Sequence, residues 1–246
     1  MTMPSNECPR VDERAGYCPP YPLFIQLAGQ PVVVIGAGEV AQRKIQTLLS
    51  RGARVRVVAP EATDEVRRLA DDGAIAWERR PYEEGDLAGA LVAFAATSDR
   101  AVNERVYAEA TARPMLVNVV DVPDLCNAIV PSIMGRGRLQ VAVSTDGASP
   151  ETAKAIRRGF EERFPAWWEQ YMDLLHEVRL LVKDRVGGPS AGRARLYRAV
   201  LDDERARAAC AAGDAPSAED VYASVVAPLV AASGRETSYM KSRGYT

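Results

Sequence analysis

The sequence contains few of the residues on which most metal and nucleophile sites depend. Its 246 residues include a single histidine, His176, and four cysteines, none of them in C-x-x-C spacing. Zinc fingers, metallohydrolases and Ser-His-Asp hydrolases therefore lose most of their support. We expect no resident metal ion. We interpret His176 as a core or interface residue and Cys126 as a buried apolar side chain.

Neither an excess of one charge nor a long apolar run is present. The 31 basic and 33 acidic side chains nearly cancel, so we expect no nucleic-acid or membrane partner. No stretch approaches the roughly 18 consecutive apolar residues of a membrane span. The first 20 residues hold four prolines and lack the apolar segment of a signal peptide. We expect a cytoplasmic protein with a disordered tail at residues 1–20 and a flexible tail at residues 234–246.

Strand-like and helix-like segments alternate along the first half of the sequence. Several strand candidates are nearly continuous apolar runs, which is typical of strands covered by helices on both faces. They are Val32–Ile35, Arg54–Ala59, Ala74–Glu78, Leu91–Ala96 and Met115–Val119, and the helix candidates between them are Val40–Ser50, Thr63–Asp72 and Arg100–Ala112. The pattern predicts an α/β fold in which residues 21–128 form a Rossmann-like, doubly wound parallel sheet.

The pattern changes after this region. Two short strand candidates, Ile129–Met134 and Arg138–Ser144, are joined at Gly135-Arg136-Gly137 and predict a β-hairpin. Ser149-Pro150-Glu151 is a strong helix start. Further helices are predicted from Ala166 to the Gly187-Gly188-Pro189 stop, around Ala191–Leu201 and around Ser217–Ala232. We therefore divide the remainder into a hairpin and helix at 129–165 and a small helical domain at 166–233.

A glycine motif follows the first predicted strand. Gly36-Ala37-Gly38-Glu39-Val40-Ala41 fits G-x-G-x-x-A and opens a predicted helix. Gly36 permits the tight turn, Gly38 lets the backbone approach a pyrophosphate, and the small Ala41 allows close packing of helix on strand. A glycine turn without a ligand is the alternative. The strand-turn-helix context favours dinucleotide binding.

The ribose-binding acid of this fingerprint has no clean match. It is expected at the end of the second strand, about 20 residues on, and Glu61 lies just past that strand. Arg54 and Arg56 suggest a contact with a 2′-phosphate, but they are equally compatible with solvated strand positions. The spacing favours NAD over NADP.

Four separated motifs carry a resemblance to a known family. They are Gly36–Lys44, Ala95-Ala96-Thr97, the stretch Asn118–Ser132 (NVVDVPDLCNAIVPS), and Val143–Pro150 (VSTDGASP). In this order and spacing they resemble the precorrin-2 dehydrogenase/sirohydrochlorin ferrochelatase family, the dehydrogenase-chelatase part of siroheme synthase. The resemblance implies oxidation of the tetrapyrrole precorrin-2 to sirohydrochlorin with NAD. In some members it also implies metal insertion, for which Fe²⁺ or Co²⁺ would be a substrate.

Asp121 is the predicted catalytic residue. It follows the fifth predicted strand, at the sheet edge where open parallel sheets bind ligands, and it matches the family's catalytic aspartate. A carboxylate there could accept the substrate proton. The alternative is that Asp121 hydrogen-bonds to the local backbone of the Val122-Pro123 turn.

The resemblance also implies the cofactor contacts. Glu39 and Val40 should line the phosphates, Pro60 and Glu61 the adenosine, and Thr97 and Val119 the nicotinamide side. The substrate carries many carboxylates, and basic residues are expected near them. The candidates are Arg43, Lys44, Arg136, Arg138 and Lys154, each of which could equally be a solvated surface charge.

The family further implies a homodimer. The short hairpin strands would otherwise leave exposed edges, and Trp167 and Trp168 offer aromatic area for an interface. We expect the tetrapyrrole cleft between the dinucleotide and dimerisation regions. Two alternatives stay open: a nucleotide-sensing regulatory module without catalysis, and a chelatase with a vestigial dinucleotide fold.

Overall fold

The computed structural model describes residues 19–187 and 190–233, and it separates into two compact units at the Val130–Pro131 bond. We call residues 19–130 the sheet unit and the described residues from 131 onward the helical unit. The predicted tail at 1–20 lies almost wholly outside the described residues, as does the predicted tail at 234–246. In the described part of the chain, no helix combines the length and the apolar character that a membrane crossing requires.

The sheet unit is built on five parallel strands in the order β3-β2-β1-β4-β5. Their bounds are Pro31–Ile35 (β1), Arg54–Val58 (β2), Ala76–Glu78 (β3), Val92–Ala95 (β4) and Leu116–Val119 (β5). The strand order reverses between β1 and β4, which makes the carboxyl ends of these two strands the topological switch point. The predicted doubly wound parallel sheet is confirmed.

Helices and one long loop cover the two faces of this sheet. The helices are Glu39–Ser50 (α1), Asp64–Asp71 (α2) and Arg100–Thr111 (α3). One core cluster contains Ala41, Ile45 and Leu48 of α1 against one face. A second cluster on the other face contains Val106 and Ala110 of α3. Both faces of the strands are therefore buried, which explains their continuous apolar runs.

The free edge of β5 is covered by the chain that follows it. The Asn127 side chain accepts a hydrogen bond from the Val117 backbone N–H at 2.7 Å and donates one to the Met115 carbonyl at 2.8 Å. The Ala128 N–H donates to the Val117 carbonyl at 3.2 Å. These contacts satisfy backbone groups of the edge that would otherwise be open to a further strand.

The helical unit begins with an antiparallel hairpin, Ser132–Arg136 (β6) and Leu139–Val143 (β7). The turn lies further along the chain than the expected Gly135-Arg136-Gly137, with which it shares only Gly137. Arg136 pairs with Leu139 in the ladder, so the two-residue turn is Gly137-Arg138. Gly137 has a φ of 54°, and such a positive φ is what two-residue hairpin turns require.

The helices of this unit are Pro150–Arg163 (α4), Trp168–Arg185 (α5), Ser190–Leu201 (α6), Glu204–Ala212 (α7), Ala218–Val221 (α8) and Ala227–Ala232 (α9). Ser149 caps α4 as predicted, since its Oγ accepts from the Thr152 N–H at 3.2 Å. Helix α5 begins at Trp168 rather than Ala166. Helix α7 was not predicted, because its alanine-rich sequence has little apolar periodicity.

The predicted helix Ser217–Ala232 is interrupted by a π-helical turn, Tyr222–Val226, between α8 and α9. Pro228 lies two residues after this turn and has no N–H to donate to the carbonyl one turn earlier, and proline in a helix commonly forces such a widening. Trp167 and Trp168 are half-buried and pack against the core cluster of α5 to α9. Part of their aromatic area is thus used within the unit.

Candidate functional site

Gly36 ends β1 in a backbone conformation that only glycine adopts easily. Its φ is 101°, and a Cβ built on it would lie 2.5 Å from the Ala96 carbonyl oxygen. The loops after β1 and β4 therefore come into direct backbone contact at the switch point. Any larger residue at position 36 would force them apart.

Gly38 shows the opposite situation. It is the N-cap of α1, and a Cβ built there would meet nothing within 4 Å. Among residues 19–187 and 190–233 no side chain caps this helix, and the first-turn N–H groups have no intrahelical partner. Glu39 and Val40 are exposed beside it, whereas Ala41 is fully buried against the sheet. Open space in front of free N–H groups is what a dinucleotide pyrophosphate requires, so the residues present fit this cofactor.

The loop after β4 lies on the other side of the switch point. The Thr97 Oγ1 accepts a hydrogen bond from the Asp99 N–H at 3.0 Å, and the Thr97 carbonyl accepts one from the Asn103 side chain at 3.1 Å. Asn103 is 4% exposed, and its Oδ1 has no hydrogen-bond partner in the described part of the chain. Asn103, which no sequence motif indicated, fixes the Thr97 loop from α3.

On the predicted adenosine side, Pro60 and Glu61 are exposed in the loop between β2 and α2. The two arginines considered for a 2′-phosphate are engaged elsewhere. Arg54 Nε donates to the Gly29 carbonyl at 2.8 Å, and Arg56 Nη1 lies 2.8 Å from Glu78 Oε1. Neither guanidinium is held ready for a phosphate.

The Arg56–Glu78 pair belongs to a larger ion network. Asp86, which is 7% exposed, accepts hydrogen bonds from Arg80 Nη1 at 2.8 Å and from Nη2 at 2.6 Å. The paired Arg80 guanidinium holds the pKa of the Asp86 carboxyl below its usual range, against the opposing effect of burial. This network joins β3 to the loop before β4.

Asp121 stands in a turn directly after β5. Its φ is 58°, an uncommon value for a residue that is not glycine. The turn is closed by a hydrogen bond from the Val122 N–H to the Val119 carbonyl at 3.4 Å, and the Asp121 side chain is exposed. In the described part of the chain its carboxylate accepts no hydrogen bond from the local backbone. The turn-capping alternative therefore finds no contact in the structure.

The side chains around Asp121 form a polar group on one face of β5. Lys44 of α1 donates from Nζ to Asn118 Oδ1 at 3.5 Å, and Asn118 Nδ2 donates to the Ala128 carbonyl at 3.0 Å. Burial lowers the pKa of Lys44, while the charge of Asp121 raises it. Asn118 is a polar residue in an otherwise apolar strand, and that break in the pattern was the signal available in the sequence.

Cys126 and Val119 lie beside this group. Cys126 is half-buried, and its Sγ is 3.2 Å from both the Val119 N–H nitrogen and the Val119 carbonyl oxygen. Cys126 therefore bonds to the backbone as well as packing against the core. The Val119 side chain is 2% exposed, so its part in a cofactor site is limited to placing the turn that follows.

The other basic candidates separate into two groups. Arg43 is exposed on α1. The three candidates of the helical unit have partners of their own: Arg136 Nε donates to the Phe164 carbonyl at 3.0 Å, Arg138 pairs with Asp173 at 2.9 Å, and Lys154 pairs with Glu151 at 2.7 Å. His176 is half-buried on α5. Within the described ranges, no three histidine, cysteine or acidic side chains are grouped as a metal ion would require.

Comparison with known proteins agrees with this geometry. A family model described as "Putative NAD(P)-binding" matches residues 23–132, and one described as "Sirohaem biosynthesis protein central" matches residues 136–163. A siroheme synthase of Ectopseudomonas mendocina is 46% identical over 162 residues, which is 66% of this chain and 35% of that protein. Siroheme synthase 1 of Cronobacter sakazakii is 40% identical over 203 residues, 81% of this chain and 42% of that protein. The chain thus spans less than half the length of these relatives.

One solved structure is matched over most of its own length. The protein described as "SirC, precorrin-2 dehydrogenase" has a TM-score of 0.65 and 32% sequence identity, and the match covers 75% of this chain and 90% of that one. The family resemblance of the four motifs is confirmed by these matches, which give no support to a sensing module. The chain belongs to the precorrin-2 dehydrogenase family, the dehydrogenase part of siroheme synthase.

Proposed function

We propose that this chain oxidises precorrin-2 to sirohydrochlorin with NAD as the hydride acceptor. The observation that carries the proposal is the placement of two features at the carboxyl edge of one sheet. An open glycine turn follows β1. After β5 comes Asp121, which is exposed and has a backbone in the left-handed conformation. The relatives named siroheme synthase and precorrin-2 dehydrogenase supply the reaction that needs both.

When bound, the nicotinamide supplies a two-electron acceptor for the hydride that leaves the substrate. The chain's own residues do the rest. The free N–H groups of the first turn of α1 bind the pyrophosphate, with Glu39 and Val40 beside it. Thr97, fixed by Asn103, borders the nicotinamide side. Asp121 accepts the proton that the substrate loses, and its exposure lets that proton pass on to water.

The proposal includes NAD rather than NADP. A 2′-phosphate needs a free cation near the end of β2, but Arg54 and Arg56 are both engaged by partners within the sheet unit. Glu61 adds a negative charge beside the expected ribose, which suits a hydroxyl and repels a phosphate. We expect NADP to bind at least tenfold more weakly than NAD.

A homodimer, a cytoplasmic location and the division into a dimerisation region at 129–165 and a helical domain at 166–233 stay predictions. Light scattering at micromolar concentration tests the dimer, which a purely monomeric protein would contradict. Insertion of Fe²⁺ or Co²⁺ as a substrate also stays a prediction. Sirohydrochlorin and the metal ion, with and without the protein, test it.

The oxidation itself is tested by supplying precorrin-2 and NAD to the purified chain under anaerobic conditions. We expect NADH and the sirohydrochlorin absorption to rise together. Binding of NAD without either change would contradict the proposal and favour the sensing alternative.

A further inference from the structure

Lys44 is a cation without a direct anionic partner in the part of the chain that the structure describes. Lys44 is half-buried, and the one hydrogen bond it makes to the described residues, to Asn118 Oδ1, is long at 3.5 Å. Its remaining contact is with the ring of Phe94, whose centroid lies 5.3 Å from Nζ. An ammonium has three donors, and burial is costly unless they are used. Lys44 thus retains donors that its own unit does not satisfy.

The surroundings of Lys44 are fixed rather than loose. Asn118 Nδ2 is bound to the Ala128 carbonyl at 3.0 Å, which directs Oδ1 toward Lys44. Lys44 is a residue of α1, the helix that begins at the glycine turn, and this helix fixes the position of its backbone. Lys44 is therefore held in place without an ion pair to the described residues. We infer that its charge serves a ligand that binds at this site.

The charges facing Lys44 select the kind of ligand. Asp121 and Cys126 favour its charged form, Arg43 disfavours it, and burial lowers its pKa most of all. A carboxylate brought to Nζ would replace the lost water and complete the donors. The same ligand would lie beside Asp121, the proposed proton acceptor.

We propose that Lys44 binds a side-chain carboxylate of the tetrapyrrole and places the oxidised carbon beside Asp121, with Asn118 as its positioning residue. The inference rests on the proposed function for the identity of the substrate. It names one binding contact among the five basic residues that the sequence left equal. The alternative is that Lys44 only packs its stem over Phe94, with its head in water.

The test compares Lys44→Met, which keeps the stem and removes the charge, with Lys44→Arg, which keeps the charge. Arg68→Gln is the matched control, because it removes one positive charge from an exposed position on α2. Two quantities are measured: the KM for precorrin-2, and the Kd of the NAD-free protein for sirohydrochlorin by absorption titration. We expect Lys44→Met to raise both about tenfold to a hundredfold, because a charge-assisted hydrogen bond is lost.

Lys44→Arg should stay within about threefold of the wild type and Arg68→Gln within about twofold. NAD affinity and thermal stability should be unchanged in Lys44→Met, since its apolar packing is kept. If the wild type turns over and Lys44→Met changes neither KM nor Kd, the inference about Lys44 is overturned while the proposed function stands. A weaker Kd that accompanies a lower melting temperature, and that Lys44→Arg does not rescue, would also overturn it.

The same experiment separates the two proposals. If the wild type forms no NADH, and Lys44→Met binds sirohydrochlorin more weakly than the wild type does, the carboxylate site stands and the dehydrogenase function falls. If the wild type neither turns over nor binds sirohydrochlorin, both fall.

Discussion

The two units of the chain use their charged side chains differently. In the helical unit, the three basic residues considered for the substrate, Arg136, Arg138 and Lys154, all have partners within the unit. At the carboxyl edge of the sheet unit, Lys44 contacts an amide oxygen and an aromatic ring but no carboxylate of the described residues, and Asp121 is exposed. Charges that are paired contribute to the fold, whereas charges left without a direct partner are available to a ligand. This difference supports the proposal that the chemistry takes place on the sheet unit.

The largest expected effects come from the glycine turn, and they sharpen the comparison within the sheet unit. Gly36→Ala drives a methyl group into the Ala96 carbonyl and strains a φ of 101°, so we expect it to lose NAD binding and more than about 1 kcal/mol of unfolding free energy. A Cβ at Gly38 meets no described atom within 4 Å, so Gly38→Ala should lose NAD binding while stability falls by less than about 1 kcal/mol, because alanine is a poorer N-cap than glycine. Calorimetric titration with NAD and chemical denaturation measure the two quantities. Equal destabilisation by both changes would contradict this account of the turn.

The next effect concerns Asp121. Asp121→Asn keeps the size of the side chain and removes the base, so we expect kcat for precorrin-2 oxidation to fall by about 10²- to 10⁴-fold. NAD affinity should be unchanged, because the glycine turn is not touched. Steady-state kinetics at saturating NAD measures the first quantity and titration the second. Full turnover in this variant would remove Asp121 from the mechanism.

A pH dependence follows from the position of Lys44. Its ammonium must be charged to bind a carboxylate, so affinity for substrate is complete below its pKa and is lost as pH rises through it. Burial lowers that pKa below the ordinary lysine value, although Asp121 and Cys126 oppose the shift. We expect the KM for precorrin-2 to rise about tenfold on the alkaline side, and Lys44→Arg to remove this rise. The same alkaline rise in Lys44→Arg would assign it to another group.

The ion network around Asp86 contrasts with the carboxyl edge of the sheet unit, because its charges are paired with one another. The fold lowers the pKa of Asp86, mainly through its hydrogen bonds with Arg80. Ionised Asp86 therefore contributes its full stabilisation at pH values above the pKa that it has in the unfolded chain. That contribution is lost as pH falls through the folded value. Asp86→Asn should cost about 1.5–3 kcal/mol at neutral pH and should flatten the acid side of the stability curve. Denaturation midpoints between neutral pH and strong acid measure it, and an unchanged acid side would contradict the assignment.

The smallest effect is expected in the helical unit. Arg138→Gln breaks an exposed pair with Asp173, which is worth about 0–1 kcal/mol. The KM for precorrin-2 should stay within about twofold of the wild type. A tenfold rise in KM would break the comparison, because a paired residue of the helical unit would then bind substrate.

The sheet unit was predictable because its signals are local. Apolar runs indicate the five strands, and the glycines of the turn after β1 form a dinucleotide-binding motif that the sequence alone displays. The interruption at Tyr222–Val226 was harder to foresee, since a proline such as Pro228 also occurs where a helix begins. The hairpin turn was predicted to begin too early because Gly135 and Gly137 were both compatible with it, and only pairing across the ladder distinguishes them.

The site was predictable as a set of residue types but not as a selection among them. Arg43, Lys44, Arg136, Arg138 and Lys154 are equivalent in sequence, because each is a cation near a motif. What separates Lys44 is burial on one side and a bond to Asn118, a residue 74 positions away. Such contacts depend on how α1 packs on the sheet, which brings the Lys44 side chain to Phe94 of β4 and Asn118 of β5. Local sequence carries no record of that packing.

The central claim is that residues at the carboxyl edge of the sheet unit catalyse the transfer of a hydride from precorrin-2 to NAD. The most direct test measures NADH and sirohydrochlorin together in an anaerobic reaction of the wild-type chain with precorrin-2 and NAD. We predict one NADH for each sirohydrochlorin. Sirohydrochlorin formed no faster than without the protein, or formed without NADH, would contradict the account.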